Sequence, residues 1–337
     1  MDSRVWHIPE AVRTQAPEAA LLLDAVNAAA WRTVSPVQLE EVRVRMAQML
    51  CFAPGLERSS AQARAGGLDE RKLSHVADYF RSDDYTDQER ALLGFAEQFV
   101  IDVSQFTPQG REALAGAIGS QDIVDVVTAI YVIEYTQRLE SIATAVIWSE
   151  GPGTAFSSAP PATAAGNEEA GVRQLLADYS AAVMRLRELD PVTTELVRLR
   201  CARTHNCRIC QTLRASDARS AGADDEMTRK VDFYESSDLD ERVKTALRIT
   251  DAFILNPGDL TEAPIHAARR LFTEAELVEL CLDITKWATQ KIKVSLGADS
   301  ADRLPKNEAG MSFFTFGLDG LPASFGAEDS NQKVVGS

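Results

Sequence analysis

Along the chain the apolar positions repeat at helical spacing. Leu92, Phe95, Ala96, Phe99 and Val100 fall at i, i+3, i+4, i+7 and i+8, on one stripe of an α-helix. Ala246, Ile249 and Phe253 trace an equivalent stripe later on. Ser35-Pro36 and Asp190-Pro191 read as helix starts: the first residue offers a side-chain oxygen to the open backbone N–H groups, and the proline sits where its missing donor costs nothing. Gly67 and Gly222, each followed within two residues by an Asp, read as a helix end and the next entry. No stretch alternates apolar and polar residues between turn signals, so the fold class predicted is all-α.

The pattern also repeats on a larger scale. A shift of 155 residues carries Pro36 onto Pro191, Arg43 onto Arg198, Arg45 onto Arg200, Arg64 onto Arg219, Gly67 onto Gly222 and Tyr79 onto Tyr234. After one deletion the shift is 154, and Ile123-Val124-Asp125 falls on Leu277-Val278-Glu279. A register held over this distance predicts a tandem duplication of one helical domain, the two copies packed as a pseudo-dimer. Residues 1–148 form the first copy and 168–304 the second. The Gly-, Pro-, Ser- and Ala-rich stretch 149–167 between them reads as a linker. Residues 305–337 form a tail that loses the helical period. Phe313, Phe314, Phe316 and Phe325 are too many aromatics for a solvated end, and should dock it onto its own domain or a neighbouring subunit.

Composition narrows the function classes. The 337 residues are 45% hydrophobic and 25% charged, as in ordinary globular proteins. Lys and Arg number 35 against 50 Asp and Glu, a formal charge of −15 that leaves no footprint for nucleic acid or an anionic membrane. The apolar run Val126–Ile133 is too short to span a bilayer, and the first residues do not read as a signal peptide. A cytoplasmic location is expected. Five cysteines, an odd number in a long chain, do not resemble a secreted disulfide framework. Cys201 and Cys281 lie in apolar helical settings and read as buried small hydrophobes.

Cys207 and Cys210 differ in kind. Asn206 is a candidate N-cap that would put both in the first turn of a helix, on one face, where the positive end of the helix dipole favours a thiolate. Arg214, four residues beyond Cys210, would lie one turn down that face. A guanidinium holds its proton, so Glu195 and His205 are the nearby candidates for proton exchange. Each has a plainer reading: Glu195 as a salt bridge to Arg198, His205 as a helix-end histidine bonded to a carbonyl. His205, Cys207 and Cys210 offer three metal ligands, but no second CxxC or CxxH completes a tetrahedron, so no metal and no cofactor are expected. His7, His75 and His266 have no partner pattern and read as surface residues.

Glu195 followed by Cys207-Arg-Ile-Cys210, within a duplicated helical domain, resembles the alkylhydroperoxidase AhpD-like superfamily, which includes the carboxymuconolactone decarboxylases. The resemblance covers about Asp190 to Gly297, and the first copy through its repeat relation. It implies Cys210 as the peroxide-attacking thiolate, Cys207 as the resolving thiol and Glu195 as base in a proton relay. The sequence departs from the family at Arg214, where a relay histidine is expected, leaving His205 or a water to substitute. The implied activity is that of a thiol-dependent peroxidase or disulfide reductase, with a hydroperoxide as substrate and an external dithiol as reductant. The alternatives are a decarboxylase-like lyase acting on a small organic acid or lactone, or a non-enzymatic redox sensor. A homo-oligomer is expected by the same analogy. In the first copy Glu40 aligns with Glu195, but Phe52 and Gly55 occupy the cysteine positions, so one redox site per chain is expected.

Overall fold

A computed structural model describes residues 5–119, 121–147, 170–317 and 322–327. The expected linker 149–167 lies outside the described residues. The helices that matter here are α1 (Pro36–Met49), α2 (Asp87–Ile101), α3 (Ile123–Val146), α4 (Val172–Met184), α5 (Pro191–Thr204), α6 (Arg208–Thr212), α7 (Glu241–Ile254) and α8 (Glu274–Trp287). The fold is mostly helical, as the periodicity predicts. The chain divides into two compact units, the first comprising residues 1–144 and 149–179 and the second residues 145–148 and 180–337. No single helix among the described residues is long and apolar enough to cross a membrane.

In the first unit α1 packs on α2, whose stripe Leu92, Phe95, Ala96 and Phe99 is buried. In the second unit α5 packs on α7 and α8, and Ala246, Ile249 and Phe253 are buried. A phenylalanine sealed as completely as Phe253 contributes about 1.5–3 kcal/mol through removal of its apolar surface from water. Pro36 and Pro191 open α1 and α5 as predicted, and the Asp190 carboxylate accepts the Thr193 N–H at 2.8 Å, but the expected Ser35 cap is corrected: Ser35 holds the N-cap position without a side-chain cap bond. Gly67 and Gly222 end helical turns in the left-handed region, at φ of 87° and 109°.

The two units repeat the same local bonds 155 residues apart, or 154 for Glu97 and Asp251. Arg43 pairs with Glu40 and donates to the carbonyls of Gly55 and Arg58; Arg198 pairs with Glu195 and donates to those of Cys210 and Leu213. The Ser60 N–H reaches Glu40, and the Ala215 N–H reaches Glu195. Arg45 and Tyr79 converge on Glu97, Arg200 and Tyr234 on Asp251.

Among the described residues the helices are accompanied by one small sheet that the sequence does not announce. β1 (Leu213–Ala215) pairs in parallel with β2 (Ser312–Phe316), which pairs antiparallel with β3 (Pro322–Gly326). β1 is three residues long and its partner lies almost a hundred residues away, so neither alternation nor a hairpin turn marks it. The expected docking of the tail aromatics takes this form within the second unit: Phe313 and Phe314 are buried, while Phe325 remains exposed.

Candidate functional site

The two cysteines stand where α5 ends and α6 begins. α5 closes with the Asn206 N–H donating to Arg203 O at 3.0 Å and the Cys207 N–H to Ala202 O at 2.9 Å, with Asn206 left-handed at φ 52°. These two bonds are those of a Schellman motif, for which a left-handed Asn is suited. Asn206 therefore ends α5 and does not cap the next helix, as the sequence suggested. Cys207 itself occupies the N-cap position of α6, with no side-chain cap bond. Asp299 caps α6 from a distant part of the chain: its carboxylate accepts the Arg208 N–H at 3.0 Å and its carbonyl the Ile209 N–H at 3.2 Å.

The thiols meet. Cys207 Sγ–H donates to Cys210 Sγ at 3.0 Å. Cys207 is fully buried, whereas Cys210 is partly exposed. The hydrogen bond from Cys207 holds Cys210 below the ordinary thiol range against the opposing effect of burial, with the Arg198 guanidinium and the Lys293 and Lys286 amines adding charge. Cys207, as donor, is pushed up by the same bond and by burial. The pair is thus polarised, with Cys210 the more readily ionised thiol and Cys207 the one that keeps its proton longer. With only five residues in α6, this polarisation rests on a neighbouring S–H and a guanidinium and not on a long helix dipole.

Glu195 and Arg198 are both buried and joined by two bonds, Nε to Oε2 at 2.6 Å and Nη2 to Oε1 at 2.7 Å. This is the salt bridge that was the plainer reading of Glu195. The same Arg198 donates to the Cys210 carbonyl at 2.8 Å, tying the carboxylate to the backbone of the thiol pair. His205 is buried as the C-cap of α5, its Nδ1 3.4 Å from Gln290 Nε2. The expectation for Arg214 is corrected. α6 stops at Thr212, and Arg214 lies on β1, donating to the carbonyls of Gln211 and Leu213 at 2.7 Å each. Burial pushes it down to about 10, so it remains a cation at neutral pH.

Sequence reading gave Arg198 only a structural part, although its repeat with Arg43 marked the position. It missed Lys286. That amine is buried on α8, touching Met184 Sδ and lying over the Trp287 ring, and burial pushes it well below the usual lysine range despite Asp283 one turn away. A lysine amid apolar residues gives no signal of burial in sequence. Among the described residues no group of three or more His, Cys, Asp or Glu could hold a metal ion.

Residues 170–252 match the Carboxymuconolactone decarboxylase family, a span that includes Glu195 and both cysteines. Two uncharacterized proteins of Mycobacterium tuberculosis, from strains CDC 1551 / Oshkosh and ATCC 25618 / H37Rv, are each 36% identical over 240 residues, covering 69% of this chain and 79% of theirs. The chain belongs to one family with them. A carboxymuconolactone decarboxylase domain covers part of this chain, and the closely spaced cysteine pair lies inside it. No solved structure matches the chain.

Proposed function

We propose that the chain is a thiol-dependent oxidoreductase that cycles Cys207 and Cys210 between dithiol and disulfide. The observation that carries this reading is the 3.0 Å hydrogen bond between the two sulfurs, which lowers the more accessible one. In the peroxidase form, Cys210 thiolate attacks the terminal oxygen of a hydroperoxide; the S–O bond forms, the O–O bond breaks, and the leaving alkoxide takes up a proton. The resulting sulfenic acid condenses with Cys207 to the disulfide, releasing water. An external dithiol restores both thiols by exchange. Across the cycle one hydroperoxide and one dithiol become alcohol, water and a disulfide. Cys207 donates the first proton, and Glu195 acts through Arg198, which it orients toward the Cys210 carbonyl. The repeated Glu–Arg bonds support the inference of a duplicated chain whose first copy holds Gly55 where the second holds Cys210.

A second reading has the family match on its side: a lyase acting on a small organic acid or lactone by acid–base chemistry, without the dithiol. Turnover separates the two. In the first reading, Cys207→Ser and Cys210→Ser each reduce dithiol-dependent consumption of cumene hydroperoxide at least a hundredfold. If both variants consume it at the native rate, the dithiol reading fails and the lyase reading takes its place. A homo-oligomer in the cytoplasm fits either reading and is part of the proposal.

A further inference from the structure

The aromatic tail meets the thiol site at its buried ion pair. β1 begins at Leu213, directly after the helix that carries Cys210, and two elements hold it. From α5, Arg198 Nη2 donates to the Leu213 carbonyl at 2.6 Å, and Glu195 accepts the Ala215 N–H at 3.3 Å. From the tail, β2 pairs with β1 in parallel, Ser312 beside Leu213 and Phe314 beside Ala215. The tail strand therefore fixes the stretch of backbone that gives the ion pair one acceptor and one donor. This strand lies outside residues 170–252, the part of the chain that matches the family.

Phe314 reaches the same arginine with its ring. Hydrogen bonds to Glu195, Cys210 and Leu213 run along the edge of the Arg198 guanidinium, which leaves its faces to aromatic rings. The ring of Phe314 lies 5.6 Å from the guanidinium carbon, and that of Trp287 on α8 lies 5.8 Å from it. Arg198 and Phe314 are each 3% exposed, so the contact is made out of water, where a cation and a ring attract most strongly. Phe316 backs Phe314 edge-on at 5.0 Å, and Ala215 and Ala218 pack against it.

The first unit offers a comparison within the same chain. Arg43 has the same bonds to Glu40 and to the carbonyls of Gly55 and Arg58, with no strand at residues 58–60 and with Phe52 and Gly55 at the cysteine positions. An ion pair of this kind is thus built without a strand beside it, and the strand and its ring stand in the unit that holds the thiols. We propose that β2 is part of the thiol site and that Phe314 is a positioning residue for Arg198, keeping its guanidinium on the Cys210 carbonyl and closed from water. The role rests on the dithiol reading, because Cys210 is the group that gains from a fixed cation. Cys210 faces Cys207 on its own helix, Arg198 on α5, Lys286 on α8 and Lys293 beyond it; the Cys207 bond acts most on it, and Arg198 leads the charges. A guanidinium free to tilt and hydrate is screened, and less of its charge reaches the sulfur.

The test is the pH profile of iodoacetamide labelling at Cys210 in the full chain, read by mass spectrometry with the exposed Cys51 of the first unit as internal standard. Phe314→Leu keeps an apolar side chain and removes the ring. Its Cys210 profile should move upward by roughly half a unit, a roughly threefold loss of labelling rate at neutral pH, with Cys51 unchanged. Phe314→Tyr, which keeps the ring, and Phe316→Leu, which removes the neighbouring ring of the same strand, should both keep the native profile. If Phe314→Leu does not fold, as judged by circular dichroism, Phe314→Met is read in its place with the same expectation. A profile that coincides with the native one overturns the proposal. So does an equal shift in Phe314→Tyr or Phe316→Leu, which would make the effect one of tail packing. Labelling reads ionisation and not turnover, so a native chain that keeps both thiols in cumene hydroperoxide while Phe314→Leu still moves the profile defeats the dithiol reading and not the contact.

Discussion

Cys210 is held below the ordinary thiol range by what touches it. The Cys207 S–H bond lowers it most, and the charge of Arg198 follows. Replacing Cys207 with Ala removes the donor while leaving a small apolar side chain in a sealed position, so the Cys210 thiol should titrate at higher pH. The pH profile of iodoacetamide labelling at Cys210, followed by mass spectrometry, is expected to move upward by about one unit, the size of effect that a lost hydrogen bond to a thiolate produces. An unmoved profile would mean that the surrounding charges, Arg198 foremost, set the Cys210 thiol without the Cys207 bond. At this scale the cysteine spacing was open to reading from the sequence, because CxxC constrains two sulfurs to one turn. Arg198 was assigned only to Glu195, since nothing in a linear sequence says that one guanidinium will also reach the Cys210 carbonyl twelve residues on. Asp299 and Lys286 were invisible for the same reason: their partners are brought by the fold.

The helix ends decide where the thiols stand. Asn206 in the second unit and Cys51 in the first occupy the same left-handed position, both at φ 52°, each inside the same pair of closing bonds. An L-residue pays about 1–2 kcal/mol for that conformation, and Asn pays least apart from glycine. Cys51 has no such relief. Cys51→Gly is therefore expected to stabilise the chain by about 0.5–1 kcal/mol after allowing for the extra entropy of glycine in the unfolded state. Thermal unfolding reads this as a rise in midpoint, and a fall would show that the Cys51 side chain contributes packing not apparent from its exposed position. The long amphipathic elements could be read in advance, down to the Asp190 and Pro191 start. The Asn206 turn was read one element too late, because Asn is favoured both at the start of a helix and just past the end of one. The sheet escaped because β1 is too short to show alternation and β2 carries adjacent aromatics instead.

For the whole molecule, buried carboxylates set how stability varies with pH. Asp283 in the second unit is pushed up to about 7 by burial, and Glu41 in the first unit likewise to about 7, although Lys72 bonds to it. A carboxyl whose folded pKa lies above its unfolded value binds more protons in the native state between the two values. Stability contributed by the native protonated form is present below about pH 4 and is lost as pH rises toward 7 and beyond. Chemical denaturation should show the chain less stable at pH 8 than at pH 5.5. Asp283→Asn should narrow that difference, by about 1–3 kcal/mol, the usual cost of a buried polar group poorly served by its surroundings. An unchanged difference in Asp283→Asn would place the titration elsewhere.

The central claim is that one chain holds one redox dithiol, in its second unit. It is tested most directly by treating the reduced, folded protein with one equivalent of cumene hydroperoxide and counting the thiols that alkylate after denaturation, before and after treatment, with the sites mapped by mass spectrometry. Two thiols should disappear, joined as a Cys207–Cys210 disulfide, with Cys51, Cys201 and Cys281 unchanged. Survival of all five thiols, or oxidation confined to the exposed Cys51, would contradict the claim and leave acid–base chemistry as the function of the site.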